Sequence, residues 1–152
     1  MKKVRLILSA SMLTIAGFTA MTTMTSCGDD EKVCNTGYEG SDCKTLSRDK
    51  FIGQWSGTED CTIGDDSYTI TLSASSTNEI SLVYTNVYND NYTATGTMTG
   101  TNGFTFSGTA AGGVTFSGNA TLTPGTGILE VKYKVMTGAV ETNACTFTGT
   151  KL

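Results

Sequence analysis

The sequence predicts an all-β fold, an antiparallel up-and-down meander of eight strands closed into a small barrel, with a β-sandwich as the alternative. Three observations carry this reading. From Phe51 to Leu152 apolar and hydroxyl residues alternate, 22 of these residues being Thr, and period-2 alternation marks strands that bury one face. No stretch of that region repeats its apolar residues at helical spacing. Gly and Asn punctuate it at short intervals, as hairpin turns require.

Strands are expected at residues 51–61, 67–74, 79–86, 91–99, 104–108, 114–122, 128–136 and 143–151. Their inward sets read Tyr68, Ile70, Leu72; then Ile80, Leu82, Tyr84; then Tyr92, Ala94, Gly96, Met98; then Phe104, Phe106. They continue with Val114, Phe116, Gly118, Ala120, Leu122; then Leu129, Val131, Tyr133, Val135; and finally Cys145, Phe147. Turn chemistry checks these faces against each other. Thr101-Asn102-Gly103 fits a three-residue hairpin loop with Gly in the left-handed position, which sets Met98 opposite Phe106. The loop Thr109–Gly113 joins two copies of Thr-Phe-Ser-Gly, and sets Phe106 opposite Phe116 and Phe104 over Gly118. Large rings fall on the inward side at both turns.

Ahead of this region the chain changes character. A basic Met1–Arg5 start precedes an apolar stretch from Leu6 to Met21 that is broken by Ser9, Ser11, Thr14 and Thr19. A spanning helix wants about 20 continuous apolar residues, so residues 1–26 read as a secretory signal. Met24-Thr25-Ser26-Cys27 resembles a bacterial lipoprotein signal, and the resemblance implies that Cys27 is acylated and becomes the first mature residue. Gly28-Asp29-Asp30-Glu31-Lys32 is similar to the acidic export tag that sends lipoproteins of some Gram-negative bacteria to the outer face of the outer membrane. Residues 27–33 are then a lipidated Cys and acidic tether, with outer-membrane lipid as the partner of Cys27 and the cell exterior as the expected location. Each buried methylene of palmitate-type chains contributes roughly 0.8 kcal/mol, and stable attachment takes more than one chain. The alternatives are an ordinary signal peptide with an incidental Cys27 thiol, and a solvated linker for the acidic run.

Setting Cys27 aside leaves Cys34, Cys43, Cys61 and Cys145, an even number in a secreted chain, with three possible pairings. Cys34-Asn-Thr-Gly-Tyr-Glu-Gly-Ser-Asp-Cys43 resembles the last loop of an EGF-like module, which implies a local Cys34–Cys43 bridge within residues 34–50. Such a staple contributes roughly 2.7 kcal/mol by loop closure. No acidic calcium-binding signature precedes the loop, so EGF-type calcium binding does not carry over. The remaining Cys61 and Cys145 would link the first strand to the last. If they oppose each other on antiparallel neighbours, Trp55 faces Lys151, and first and last strands adjoin only in a closed barrel or a particular sandwich order. Gly53-Gln54-Trp55 is similar to the Gly-x-Trp of lipocalin-like (calycin-type) barrels, which implies a barrel domain over residues 51–152 whose base Trp55 closes beneath Lys151. The cation–π contact is worth about 0.5 to 2 kcal/mol. The chain is shorter than a typical lipocalin, and Lys stands where Arg is usual.

The chain has no His, which removes imidazole triads and most zinc hydrolase sites. Beyond residue 26 it carries 7 Lys and Arg against 14 Asp and Glu, a balance unsuited to nucleic acid. Carboxylates are expected in turns, with Glu59-Asp60 beside Cys61, Asp65-Asp66 after Gly64, and Asp90 between asparagines; no metal site, cofactor or catalytic residue is assigned. Tyr84, Tyr92, Phe104, Phe116 and Tyr133 are the candidate lining of an apolar pocket, or else plain core. The expected function is that of a membrane-anchored, non-catalytic binding module for a small apolar ligand, a glycan or a host protein. A structural or accessory lipoprotein with a filled core is the alternative, and a glycan-active enzyme is the third reading.

Overall fold

Alternation of apolar and hydroxyl residues resolves into eight long strands, because each strand buries its apolar face against the others across a common axis. The computed structural model describes residues 33–152; the expected signal peptide, Cys27 and the acidic run to Lys32 lie outside the described residues. Two short strands, β1 (Tyr38–Glu39) and β2 (Thr45–Leu46), pair with each other, and a 3-10 turn over Ser47–Lys50 follows. Then come β3 (Gly53–Cys61), β4 (Asp65–Ala74), β5 (Ser81–Val87) and β6 (Tyr92–Met98). The chain ends with β7 (Gly103–Thr109), β8 (Val114–Thr123), β9 (Ile128–Thr137) and β10 (Val140–Lys151). Every sequential pair from β3 to β10 is antiparallel, and β10 returns to β3, so the meander closes as a barrel. The architecture is consistent with a lipocalin-like barrel.

The seam has the expected register: Cys145 stands opposite Cys61 and Lys151 opposite Trp55. Disulfides join Cys61 to Cys145 and Cys34 to Cys43. Each residue assigned inward is buried or half-buried. The two hairpin registers differ from expectation. Met98 pairs with Phe104 and Gly96 with Phe106, because Gly103 has already entered β7 opposite Thr121. On the other side, Gly112 (φ 76°) and Gly113 (φ 77°) make a 3-10 turn that moves the second reversal one residue later. Phe106 therefore faces Gly118, Phe104 faces Ala120, and Phe116 faces Gly108. A slip of two preserves the face, so the core is unchanged.

One end of the barrel is plugged. Phe51 and Trp55 are fully buried there, the Trp55 indole N–H donates to the Phe51 carbonyl at 2.8 Å, and Phe51 meets Phe104 edge-on at 5.3 Å. Lys151 Nζ sits 5.7 Å from the Trp55 ring and donates to the Lys50 carbonyl at 3.1 Å. Gly53, at φ 138°, lets the lysine pass, since a Cβ there would stand 2.7 Å from Lys151 Cε. The Cys34–Cys43 loop packs over the same end. Arg48 Nη1 reaches the carbonyls of Ser75, Asn78 and Ser81, while Lys50 bridges Glu39 and Asn102.

Candidate binding site at the barrel mouth

The opposite end, the mouth, is where β3 hands over to β4, β5 to β6, β7 to β8 and β9 to β10. Trp55 points inward, so alternation along β3 carries Gly57 and Glu59 inward as well. Glu59 is 4% exposed, a carboxylate inside an otherwise apolar barrel. Its Oε1 accepts hydrogen bonds from Tyr68 of β4 at 2.6 Å and Tyr133 of β9 at 2.5 Å. Burial pushes the Glu59 carboxyl above its ordinary value; the two phenol donors oppose the rise and the Asp66 charge adds to it. Burial, first, raises all three neighbouring phenols, Tyr68, Tyr84 and Tyr133, with the Glu59 charge among the further causes.

Tyr84 completes this group from β5. Its side chain is fully buried, and its hydroxyl lies beside Tyr68 and near Glu59 without a hydrogen bond of ordinary geometry. Buried hydroxyls in folded proteins are normally paired, and an orphan costs about 1–3 kcal/mol. The mouth-side interior thus holds one carboxylate and three phenols, with one phenol left over.

Of the acidic residues expected in turns, Asp90 lies in the turn between β5 and β6, whereas Glu59, Asp60, Asp65 and Asp66 are strand residues. Glu59 stands directly opposite Asp66, and Asp60 opposite Asp65, at the end of the β3–β4 hairpin. Like charges directly opposite each other destabilise a sheet. Asp66 takes a hydrogen bond from Asn89 Nδ2 at 2.6 Å and another from the Ser67 N–H, and none of the four acids joins a Lys or Arg in an ion pair among the described residues. An open groove of about 550 Å³ runs along these pairs, lined by Thr58, Glu59, Asp60, Asp65, Asp66 and Ser67.

The loops that frame the groove are held in unusual shapes. Asn86, at a bulge near the end of β5, and Tyr88, Asn89 and Asn91 in the β5–β6 connection all have positive φ between 50° and 66°. For a ring-bearing residue such as Tyr88 that geometry is costly, and such residues concentrate at functional sites. Buried Asn143 pins the region: its side chain accepts from the Ile63 N–H at 3.0 Å and donates to the Tyr88 hydroxyl at 2.9 Å.

Of the five residues assigned to a pocket, Tyr84, Phe104, Phe116 and Tyr133 are buried and Tyr92 is half-buried. Their rings pack on one another and on Phe106: Tyr84 to Phe106 at 5.1 Å, Tyr92 to Phe116 at 5.9 Å, Phe106 to Tyr133 at 6.1 Å. The small positions between them are filled by neighbours, since a Cβ on Gly96 would meet Leu82 at 2.8 Å and one on Gly118 would meet Tyr133 at 2.5 Å. Glu59 and Tyr68 were not among the assigned site residues, although Trp55 and Cys61 on either side fix the inward parity of Glu59. The chain matches no family model, no curated protein and no solved structure.

Proposed function

We propose that the protein is a lipid-anchored, non-catalytic binding module of the outer membrane, facing the cell exterior and engaging its ligand at the barrel mouth. The observation that supports this most is the asymmetry of the two ends. One is sealed by Phe51, Trp55, Lys151 and the Cys34–Cys43 loop, while the other presents an open groove floored by a buried carboxylate. Acylation of Cys27 would tether the chain to lipid through its N-terminal segment. The ring packing of the interior moves the expected ligand, small molecule, glycan or host protein, from inside the barrel to its rim.

The same packing favours a second reading, an accessory lipoprotein that acts by protein contact over a filled core. A glycan hydrolase would need its carboxylates to flank the scissile bond. Glu59 and Asp66 instead stand side by side on adjacent strands of one wall, which suits holding a positive charge better than splitting a glycosidic bond.

The anchor is tested by fractionation, with Cys27→Ser expected to release the chain from the membrane. The mouth is tested by native mass spectrometry of the chain extracted from its own cells. A retained ligand that is lost on Asp65→Arg with Asp66→Arg supports the binding module; a ligand retained equally by that variant contradicts it.

A further inference from the structure

Two large apolar side chains stand in solvent on the mouth rim. Ile63, at the tip of the β3–β4 hairpin, is 69% exposed, and Val140, at the start of β10, is 65% exposed. The other exposed large apolar side chains among the described residues are Val33 and Leu152 at the two ends and Ile128 at the sealed end of the barrel. Because β10 pairs with β3, the β3–β4 and β9–β10 hairpins adjoin at the seam. An apolar side chain exposed singly needs no explanation. Ile63 is set apart by its neighbour on the rim and by how it is held.

Buried Asn143 spends its amide on that hairpin tip. Its Oδ1 accepts from the Ile63 N–H at 3.0 Å, and its Nδ2 donates to the Ile63 carbonyl at 3.3 Å. The same Nδ2 donates to the Tyr88 hydroxyl at 2.9 Å, and Oδ1 also accepts from the Ala144 N–H at 3.1 Å. One buried side chain thus fixes both backbone polar groups of Ile63 while the Ile63 side chain stays in water. Beside it Gly64, at φ 79°, has nothing within 4 Å of where a Cβ would stand, so the tip is clear of neighbours. An exposed apolar residue on a backbone already fixed loses little freedom on binding, which suits it to anchor an interface.

The flanks of Ile63 give the sign of what it meets. Asp60 precedes it, Asp65 and Asp66 follow, and none of the three joins a Lys or Arg in an ion pair among the described residues. Beside Val140, Glu141 is already paired with Lys134 at 2.6 Å. A second copy of this chain, docked by twofold symmetry, would set the same acids against each other. An anionic lipid surface would repel them too. A basic surface is drawn to them and covers both apolar tips.

We infer that the seam side of the mouth rim docks a partner protein through Ile63 and Val140, the partner offering a shallow apolar pocket bordered by Lys or Arg. This rests on the reading of the protein as a binding module and names the class of its ligand. Ile63 is the anchor, Asp60, Asp65 and Asp66 steer the partner, and Asn143 is a positioning residue that acts through Ile63.

The test uses the full chain in detergent, disulfides intact, as bait for a displayed library of short random peptides. Enrichment of peptides that combine bulky apolar residues with Lys or Arg is expected, and the strongest of them should shift the amides of residues 60–66 and 138–143. Its affinity by calorimetry should fall at least about tenfold on Ile63→Ser, and about tenfold from low to high salt. Asp60→Asn with Asp65→Asn should weaken it severalfold and flatten the salt dependence. Asn143→Ala should weaken it in the parent and have no further effect once Ile63 is Ser, a coupling that general loosening of the fold would not produce. Ile63→Ser and the acid substitutions, at exposed positions, carry the test if the Asn143 variant fails to fold. No enrichment, enrichment of acidic or uncharged peptides, or binding indifferent to Ile63→Ser overturns the inference. A neutral ligand retained from the producing cells that shifts residues 58–67, with the library yielding nothing, overturns the basic partner and leaves the binding module standing. Selected peptides whose shifts fall on the Trp55 end overturn both.

Discussion

Replacing Tyr84 by Phe deletes a single oxygen and leaves the ring where it is, 5.1 Å from Phe106. The hydroxyl is buried and unpaired, so its removal recovers the desolvation cost of an orphan polar group, about 1–3 kcal/mol. Against that stands the small void left by one oxygen, about 0.3 kcal/mol at the usual cost per unit of cavity volume. Glu59 keeps both of its donors, Tyr68 and Tyr133, so no second group is orphaned. The variant should therefore be more stable than the parent by about 1–2 kcal/mol, or about 4–8 °C in Tm for a domain of this size. Urea unfolding of both proteins, with the slope compared to confirm that only the midpoint moves, measures the difference. A loss of stability of about 1 kcal/mol or more would refute the reasoning, because it would mean that the hydroxyl is satisfied, by a buried water or otherwise.

Breaking the barrel seam by Cys61→Ala with Cys145→Ala opens a loop of 84 residues in sequence separation, and should cost about 4.6 kcal/mol on the loop-closure scale, against about 2.7 for the Cys34–Cys43 pair; paired urea titrations read both. Trp55→Ala should cost about 3–5 kcal/mol and Lys151→Met no more than about 2, a ranking that thermal denaturation checks. Asn143→Ala removes the partner of the Ile63 N–H and of the Tyr88 hydroxyl, so hydrogen exchange should accelerate at residues 62–64 and 86–91 while the Trp55 end stays protected.

Strand faces were legible because alternation is a local signal that one wrong residue does not erase. The seam was legible because two cysteines and one tryptophan constrained the same register, and Cys61 opposite Cys145 and Trp55 opposite Lys151 follow together. Hairpin registers were less so. Gly103 and Gly112–Gly113 are all glycines, and only the backbone shows that Gly103 joins a strand while the other two turn left-handed. The mouth site was half legible. Tyr84 and Tyr133 are legible as inward rings with hydroxyls, but reading Glu59-Asp60 as solvated acids near a turn conceals that Glu59 points inward. Counting inward from Trp55 by twos reaches Glu59, and that parity is the signal that finds it. No such count reveals that Asp66 stands opposite, since the length of the 62–64 connection sets it.

The account stands on a carboxylate held inside the barrel mouth by phenols, and a site-specific carbon-13 titration of the Glu59 carboxyl in the full chain tests that most directly. Its midpoint should lie above the ordinary glutamate value of about 4.3. With the folded value raised, the contribution of Glu59 to stability is fully present below the unfolded value and is lost as pH climbs through the folded one. The parent should accordingly gain stability relative to Glu59→Gln as pH is lowered through the folded midpoint toward the ordinary value of about 4.3. A midpoint at or below that value would place the carboxylate in water and contradict the site.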